Sequence, residues 1–176
     1  PWFSKPIDGS GSQGARVLTL GELRFVNSDF IKSNVIQELC ESPEITVDSF
    51  YDDRNNIGYA YCRERLETKS GVCTKARLFA DPELSDFANK IGQSLKQRGT
   101  ICFQVMKCND GWALTDLNVR SGAGTSLTCS AGFDVLSAAF ACRIGEDYLD
   151  FLRPIKEREE FFITRQYSDF VMSQKS

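Results

Sequence analysis

The sequence predicts an α+β fold in two lobes. Residues before Ala80 read almost wholly as strands, residues after it mix helices with a strand hairpin, and Ala80–Pro82 is the one stretch with linker character. Segregated strands and helices pack as separate layers, and a ligand site commonly lies where two such parts meet. The expected lobes are residues 1–79 and 80–176, with the ligand site between them.

The chain opens with a strand at about Trp2–Lys5 and a second at Ala15–Leu20, joined by Asp8-Gly9-Ser10-Gly11-Ser12-Gln13-Gly14. Glycines in such a loop permit positive φ and close backbone approach, and several N–H groups can then converge on one anion. Lys5 adds a point charge just before it. The loop is not a Walker A sequence, because no Gly-Lys-Ser/Thr closes it and a strand follows. Taken alone, it also reads as an ordinary hairpin turn. Strands follow at Asn34–Leu39 and Ile45–Tyr51, then a turn at Asp52–Asn56, then strands at Ile57–Glu67 and Val72–Phe79 around Ser70-Gly71. Arg63 and Arg65 share one face of their strand, as do Lys75 and Arg77; they could receive a carboxylate or phosphate, though four basic residues on a sheet are more often a solvated face.

Asp81 is a helix N-cap with Pro82 at the first position. Leu84, Phe87, Ala88, Ile91 and Leu95 fall on one face of a helix that runs to about Gln97, with Gly99 as its stop. Thr100–Lys107 and Trp112–Asn118 form a hairpin across the Asp110-Gly111 turn signal. Helices are expected at Ser126–Ser130, at Asp134–Ile144 closed by Gly145, and at Glu146–Leu152. A last strand is expected at Glu160–Met172.

Leu114 to Gly124 carries the densest chemistry. Asp116, Asn118 and Arg120 alternate, so in an extended chain they share one face, within about 14 Å at ~3.4 Å per residue. A carboxylate beside an amide oxygen suits Mg²⁺, a hard ion that keeps sites for phosphate and water. The arginine fork suits phosphate oxygens. The competing reading is a half-exposed edge strand whose polar face meets water.

Composition narrows the function. The chain has 176 residues, 41% hydrophobic and 26% charged, with a net charge of −3, so no general polyanion-binding surface is implied. It shows no apolar run of transmembrane length and no leader pattern. Histidine is absent, which removes the usual general base and the triads built on it. Phosphoryl transfer depends mainly on positioning and charge neutralisation and tolerates that absence. Seven cysteines, among them Cys40, Cys62, Cys102 and Cys142 within apolar patterns, suggest reduced buried thiols and a cytoplasmic location rather than a disulfide framework. Without histidine or a Cys-x-x-Cys pair, a zinc site is not expected.

In order and spacing, these pieces resemble the ATP-grasp superfamily, most closely the carbamoyl phosphate synthase and biotin carboxylase type. Lys5-Pro6 with Gly9–Gly14 is similar to the family's lysine strand and phosphate-covering loop. Val35–Leu39 with Pro43–Asp48 resembles the hinge that receives adenine and ribose. Gln104, Asp116, Asn118 and Arg120 fall where the family keeps its metal ligands and phosphate arginine, and Thr125–Phe133 continues the pattern.

The resemblance implies an α+β ATP-grasp fold with a nucleotide between its lobes. It implies an ATP-dependent carboxylate–amine or carboxylate–thiol ligase working through an acyl-phosphate. Lys5 and Arg120 would be catalytic phosphate contacts, with Ser10, Gly11, Ser12 and Gln13 closing over the phosphates. Gln37, Glu38 and Leu39 would meet adenine, Glu38 and Leu39 through main chain, and Glu44 would hold ribose. Gln104, Asp116 and Asn118 would bind Mg²⁺, with Mn²⁺ as an alternative. Asp116 stands where glutamate is usual, so the set has a single carboxylate. Ser121, Gly122 and Gly124 would let substrate approach the backbone.

The implied partners are ATP, a small carboxylate and an amine or thiol acceptor, with no nucleic acid and no membrane; a homo-oligomer remains compatible. Family members carry an N-terminal α/β domain ahead of the lysine strand, so a missing domain or subunit is expected, as a fragment of a longer enzyme would show. Two other readings remain: an ATP-binding regulatory or degenerate module without turnover, and a structural scaffold with no nucleotide affinity.

Overall fold

β-Branched and aromatic residues recur along the strand stretches, as pleated surfaces favour, and in the computed structural model these stretches form two sheets. The structure describes residues 1–8, 13–69, 72–108, 111–156 and 158–166, and the side chains of Glu41 and Ser42 fall outside that description. Ser10, Gly11 and Ser12 of the predicted phosphate loop, the Ser70-Gly71 turn and Asp110 therefore lie outside the described residues. The chain divides into two compact units, one of Pro1–Glu44 with Val105–Thr115, the other of Ile45–Gln104 with Asp116–Ser176.

The first unit contains strands β1 (Trp2–Pro6), β2 (Arg16–Leu18) and β3 (Asn34–Glu38) and helices α1 (Leu20–Phe25) and α2 (Ser28–Ser33). β1 is the middle strand of a three-stranded sheet, antiparallel to both neighbours, with Phe3 opposite Val17 on one side and Gln37 on the other. The sequence reading missed both helices and extended the β2 strand to Leu20. No residue of either helix is buried, so no apolar periodicity marks them. Their signature is capping: Thr19 and Glu22 bond reciprocally at the start of α1, and Asn27 caps α2 through the Phe30 N–H.

The second unit is built on β4 (Glu41–Asp52), β5 (Ile57–Lys69), β6 (Val72–Phe79) and β9 (Glu160–Thr164), antiparallel in that order. The whole sheet has the order β8-β7-β4-β5-β6-β9, where β7 is Arg98–Cys108 and β8 is Gly111–Asn118. Helix α3 (Pro82–Leu95) has the expected Asp81 cap and first-turn proline. It ends at Lys96, in the left-handed region at φ 47°, ahead of the expected Gly99. Helices α4 (Thr125–Ser130) and α5 (Val135–Ile144) follow, α5 closed by Gly145 at φ 85°. The core of this unit packs Phe50, Tyr61, Leu78, Phe133, Val135 and Ala138 together, with the Tyr61 and Phe133 rings 4.8 Å apart.

The α+β expectation holds. Two expected elements are shorter than predicted. The helix at Glu146–Leu152 is a single 3₁₀ turn, Leu149–Phe151, and the last strand ends at Thr164, with residues 167–176 outside the description. The reduced state expected for Cys40 is also corrected. Cys40 pairs with Cys108 in a disulfide across a sequence separation of 68. Cys62, Cys73, Cys102, Cys129 and Cys142 are free thiols. Among the described residues, no helix is long and apolar enough to cross a membrane.

Candidate functional site

Lys5 lies on the central strand of the small sheet, opposite Val35 of β3. It is half-buried, and its Nζ donates to the Thr115 carbonyl. Thr115 immediately precedes Asp116 in β8. Lys5 and Thr115 both belong to the first unit. Gln13 sits in an exposed turn and is followed by Gly14 at φ 75°.

Gln37 is half-buried and Glu38 exposed at the end of β3. The Leu39 N–H donates to the Pro1 carbonyl over a long 3.4 Å. Gln37 and Glu38 line a cavity of about 210 Å³ together with Cys40, Cys108, Trp112 and Leu114. The volume is below the ~300–1,000 Å³ of pockets that enclose a whole drug-sized ligand, and suits one ring of a larger molecule. The disulfide forms part of its wall, and the Lys107 ammonium stands 4.7 Å from the centre of the Trp112 ring. The Trp112 Nε1 is buried without a hydrogen-bond partner. Glu44, the predicted ribose contact, is half-buried in β4.

Gln104 on β7 is half-buried, Asp116 on β8 is exposed and Asn118 half-buried. The alternation argument places Asp116 and Asn118 on one face, and they touch: Asn118 Nδ2 donates to Asp116 Oδ2 at 2.8 Å. No group of three or more histidine, cysteine or acidic side chains able to hold a metal occurs among the described residues. The donors on offer are one carboxylate and two amide oxygens. All are hard oxygen ligands, which fits Mg²⁺, and their low charge fits an ion brought mainly by phosphate oxygens. Arg120 is exposed in the bend after β8, its Nη1 donating to the Ser121 carbonyl at 2.9 Å.

Sequence reasoning missed the anchor beneath this bend. Asp48 on β4 is fully buried and accepts from Thr125 Oγ1 at 2.7 Å, Thr128 Oγ1 at 2.6 Å and Arg63 Nε at 3.2 Å. Burial alone depresses the Arg63 guanidinium. The charge and hydrogen bond of Asp48 more than reverse this, so Arg63 titrates above the ordinary arginine value. Arg63 is therefore an internal partner, neither the substrate contact nor the solvated face that the sequence left open. Lys75 pairs with Glu67, and Arg77 with Glu64 and Glu160.

The loop glycines also have an internal reason. A Cβ on Gly122 would lie 2.7 Å from Cys102 Sγ, and one on Gly124 would overlap the Arg63 guanidinium. Burial pushes the Cys102 thiol up to about 12, so it is held as an inert neutral group. The only sequence signal for Asp48 was a carboxylate inside a strand of apolar residues.

A protein-family model described as ATP-grasp in the biosynthetic pathway with Ter operon matches residues 31–162. The chain belongs to this ATP-grasp family. Among solved structures it is similar to Rhizobium etli pyruvate carboxylase at 16% identity and a TM-score of 0.66, over 92% of this chain and 17% of that one. It is also similar to the biotin carboxylase domain of Hydrogenobacter thermophilus 2-oxoglutarate carboxylase, described in complex with MgADP, ADP and bicarbonate. There the identity is 15% and the TM-score 0.62, over 83% of this chain and 37% of that one. Thermus thermophilus N5-carboxyaminoimidazole ribonucleotide synthetase matches at 12% identity and a TM-score of 0.61, over 93% of this chain and 46% of that one. At these identities the likeness is one of fold, and the ATP-grasp chain spans less than half the length of each of these proteins. No curated protein sequence matches it.

Proposed function

We propose that this ATP-grasp chain supplies the nucleotide and metal residues of an ATP-dependent, ADP-forming carboxylate–amine or carboxylate–thiol ligase, part of a longer cytoplasmic enzyme of the carbamoyl phosphate synthase and biotin carboxylase type. The observation that carries the reading is the Lys5 ammonium bonded to the Thr115 carbonyl, next in sequence to Asp116, within a chain of this family. Gln37, Glu38 and Leu39 would receive adenine at the cavity beside β3, and Glu44 the ribose hydroxyls. Ser10, Gly11, Ser12 and Gln13 would cover the phosphates. Gln104, Asp116 and Asn118 would hold Mg²⁺ or Mn²⁺, which supplies charge neutralisation of the phosphate oxygens.

In the reaction, a carboxylate oxygen of the substrate attacks the γ-phosphorus, the bond to the β-phosphate oxygen breaks, and ADP leaves. The amine or thiol then attacks the acyl carbon, phosphate departs with the bonding pair, and the acceptor's proton passes to solvent. Lys5 and Arg120 would stabilise the charge on the transferring phosphoryl group. No side chain becomes covalent.

A second reading, nucleotide binding without turnover, is favoured by one observation: the metal set contains a single carboxylate. The deciding experiment titrates the full-length protein with ATP and Mg²⁺, then follows ADP release with carboxylate and acceptor mixtures. Binding weakened by Lys5→Met supports the nucleotide site, and acceptor-dependent ADP release selects the ligase. No ATP affinity in the full-length protein overturns both.

A further inference from the structure

Asp48 is fully buried and accepts from two threonine hydroxyls and one guanidinium. One of them leads toward the candidate site. Thr125 Oγ1 donates to Asp48 Oδ1 at 2.7 Å and at the same time accepts the Gly122 N–H at 2.9 Å. The Thr125 N–H returns to the Gly122 carbonyl at 3.1 Å, so residues 122–125 are closed from both ends. Two residues before Gly122, the Arg120 guanidinium donates to the Ser121 carbonyl. A polar chain therefore runs from Arg120 through Ser121, Gly122 and Thr125 to Asp48.

The charge of Asp48 strengthens this chain. A hydroxyl that donates to a buried carboxylate is polarised and becomes a better acceptor for the amide behind it. Arg63 balances the carboxylate and lies directly beneath Gly124, where an added Cβ would overlap it. Thr128 also donates to Asp48, at 2.6 Å, but its hydroxyl has no bond to the 121–124 backbone. The two threonines thus offer the same hydroxyl to the same carboxylate, and only one of them reaches the loop.

We propose that Asp48 is a positioning residue for the arginine loop, acting through the Thr125 hydroxyl to fix the backbone that presents Arg120. The functional half of this inference rests on the proposed contact of Arg120 with the terminal phosphate.

The test uses the full-length protein with Thr125→Val, Thr125→Ser and Thr128→Val. Amide hydrogen exchange is followed over residues 119–124, and the affinity for ATP is compared with that for ADP, both with Mg²⁺. Thr125→Val should speed exchange in the loop by about tenfold, as the loss of one hydrogen bond allows, and should erase the preference for ATP over ADP. Thr125→Ser keeps the hydroxyl and should retain both properties. Thr128→Val should leave loop exchange at the wild-type rate.

Equal loosening by Thr125→Val and Thr128→Val, or unchanged exchange in Thr125→Val, overturns the proposal. If Thr125→Val does not fold, Thr125→Ser decides: a loosened loop in a folded serine variant overturns it, and a wild-type loop with wild-type preference supports it. Faster exchange in Thr125→Val with an unchanged preference supports the Asp48 anchor and overturns the phosphate role of Arg120. The two failures are thereby separated.

Discussion

Replacing Arg63 by methionine removes a buried cation while keeping most of the side-chain volume. Arg63 is 2% exposed, and its Nε lies 3.2 Å from Asp48. Removing one partner of a buried ion pair costs about 3–5 kcal/mol, because the remaining charge is left without compensation. Asp48 keeps the hydroxyls of Thr125 and Thr128 at 2.7 and 2.6 Å, so the expected loss is at the low end, about 3 kcal/mol. Against a typical domain stability of ~5–15 kcal/mol, this is a large shift of the urea midpoint at constant slope. Lys75→Met serves as the control. Its pair with Glu67 has both side chains about half exposed, 53% and 50%, and the midpoint should not move. Adding Asp48→Asn to Arg63→Met should recover part of the loss, since the two residues share one interaction. Arg63→Met within ~0.5 kcal/mol of wild type, or simple additivity in the double variant, refutes the reasoning.

Asp116→Asn should leave the fold intact and weaken nucleotide affinity only when Mg²⁺ is present; equal titrations with Mg²⁺ and with a chelator for variant and wild type would remove the metal assignment. Acid should unfold the second unit in part through Asp52. Burial raises its pKa, but bonds from Tyr148, Asn55 and the Arg54 N–H outweigh this and hold it below the ordinary aspartate value. That stabilisation is complete above ~pH 4 and is lost as pH falls through the lowered value, so Asp52→Asn should flatten the acid limb of urea midpoints measured between neutral and strongly acid pH. Cys40→Ser with Cys108→Ser should destabilise the first unit by up to ~4 kcal/mol on the chain-entropy account of a loop of this length, read by protease susceptibility of residues 1–44 under reducing and oxidising conditions. Gly124→Ala should cost about 1–3 kcal/mol as an overpacked substitution against Arg63, and Gly145→Ala about 1–2 kcal/mol from its left-handed backbone at φ 85°, although its added Cβ would meet no atom within 4 Å; urea midpoints measure both.

The sheet and helix α3 were legible because their signals are local. Asp81-Pro82 opens the helix and Leu84, Phe87, Ala88 and Ile91 repeat on one face, while alternation and turn residues delimit β5 and β6. The shared face of Asp116 and Asn118 was legible for the same reason, the two being two apart on one strand. Helices α1 and α2 were not, since each has six residues and none is buried; the caps Thr19-x-x-Glu22 and Asn27 are their local traces. The inward direction of Asp48 is legible in its strand, but the anchor is not, because its partners Arg63, Thr125 and Thr128 lie 15, 77 and 80 residues away along the chain. Cys40 and Cys108 gave no local signal for their pairing, which depends on segments 68 residues apart.

The distance along the chain between Asp48 and its two threonines, 77 and 80 residues, has a kinetic meaning. Contacts this remote must wait for the intervening chain to organise, since loop closure precedes any return from the contact. During synthesis β4 leaves the ribosome well before α4 exists, and a carboxylate destined for the interior spends that interval in water. The bend that displays Arg120 acquires its final shape only when the sheet and α4 have come together. In the proposed ligase, the contact of Arg120 with phosphate would in this way depend on completion of the fold around Asp48.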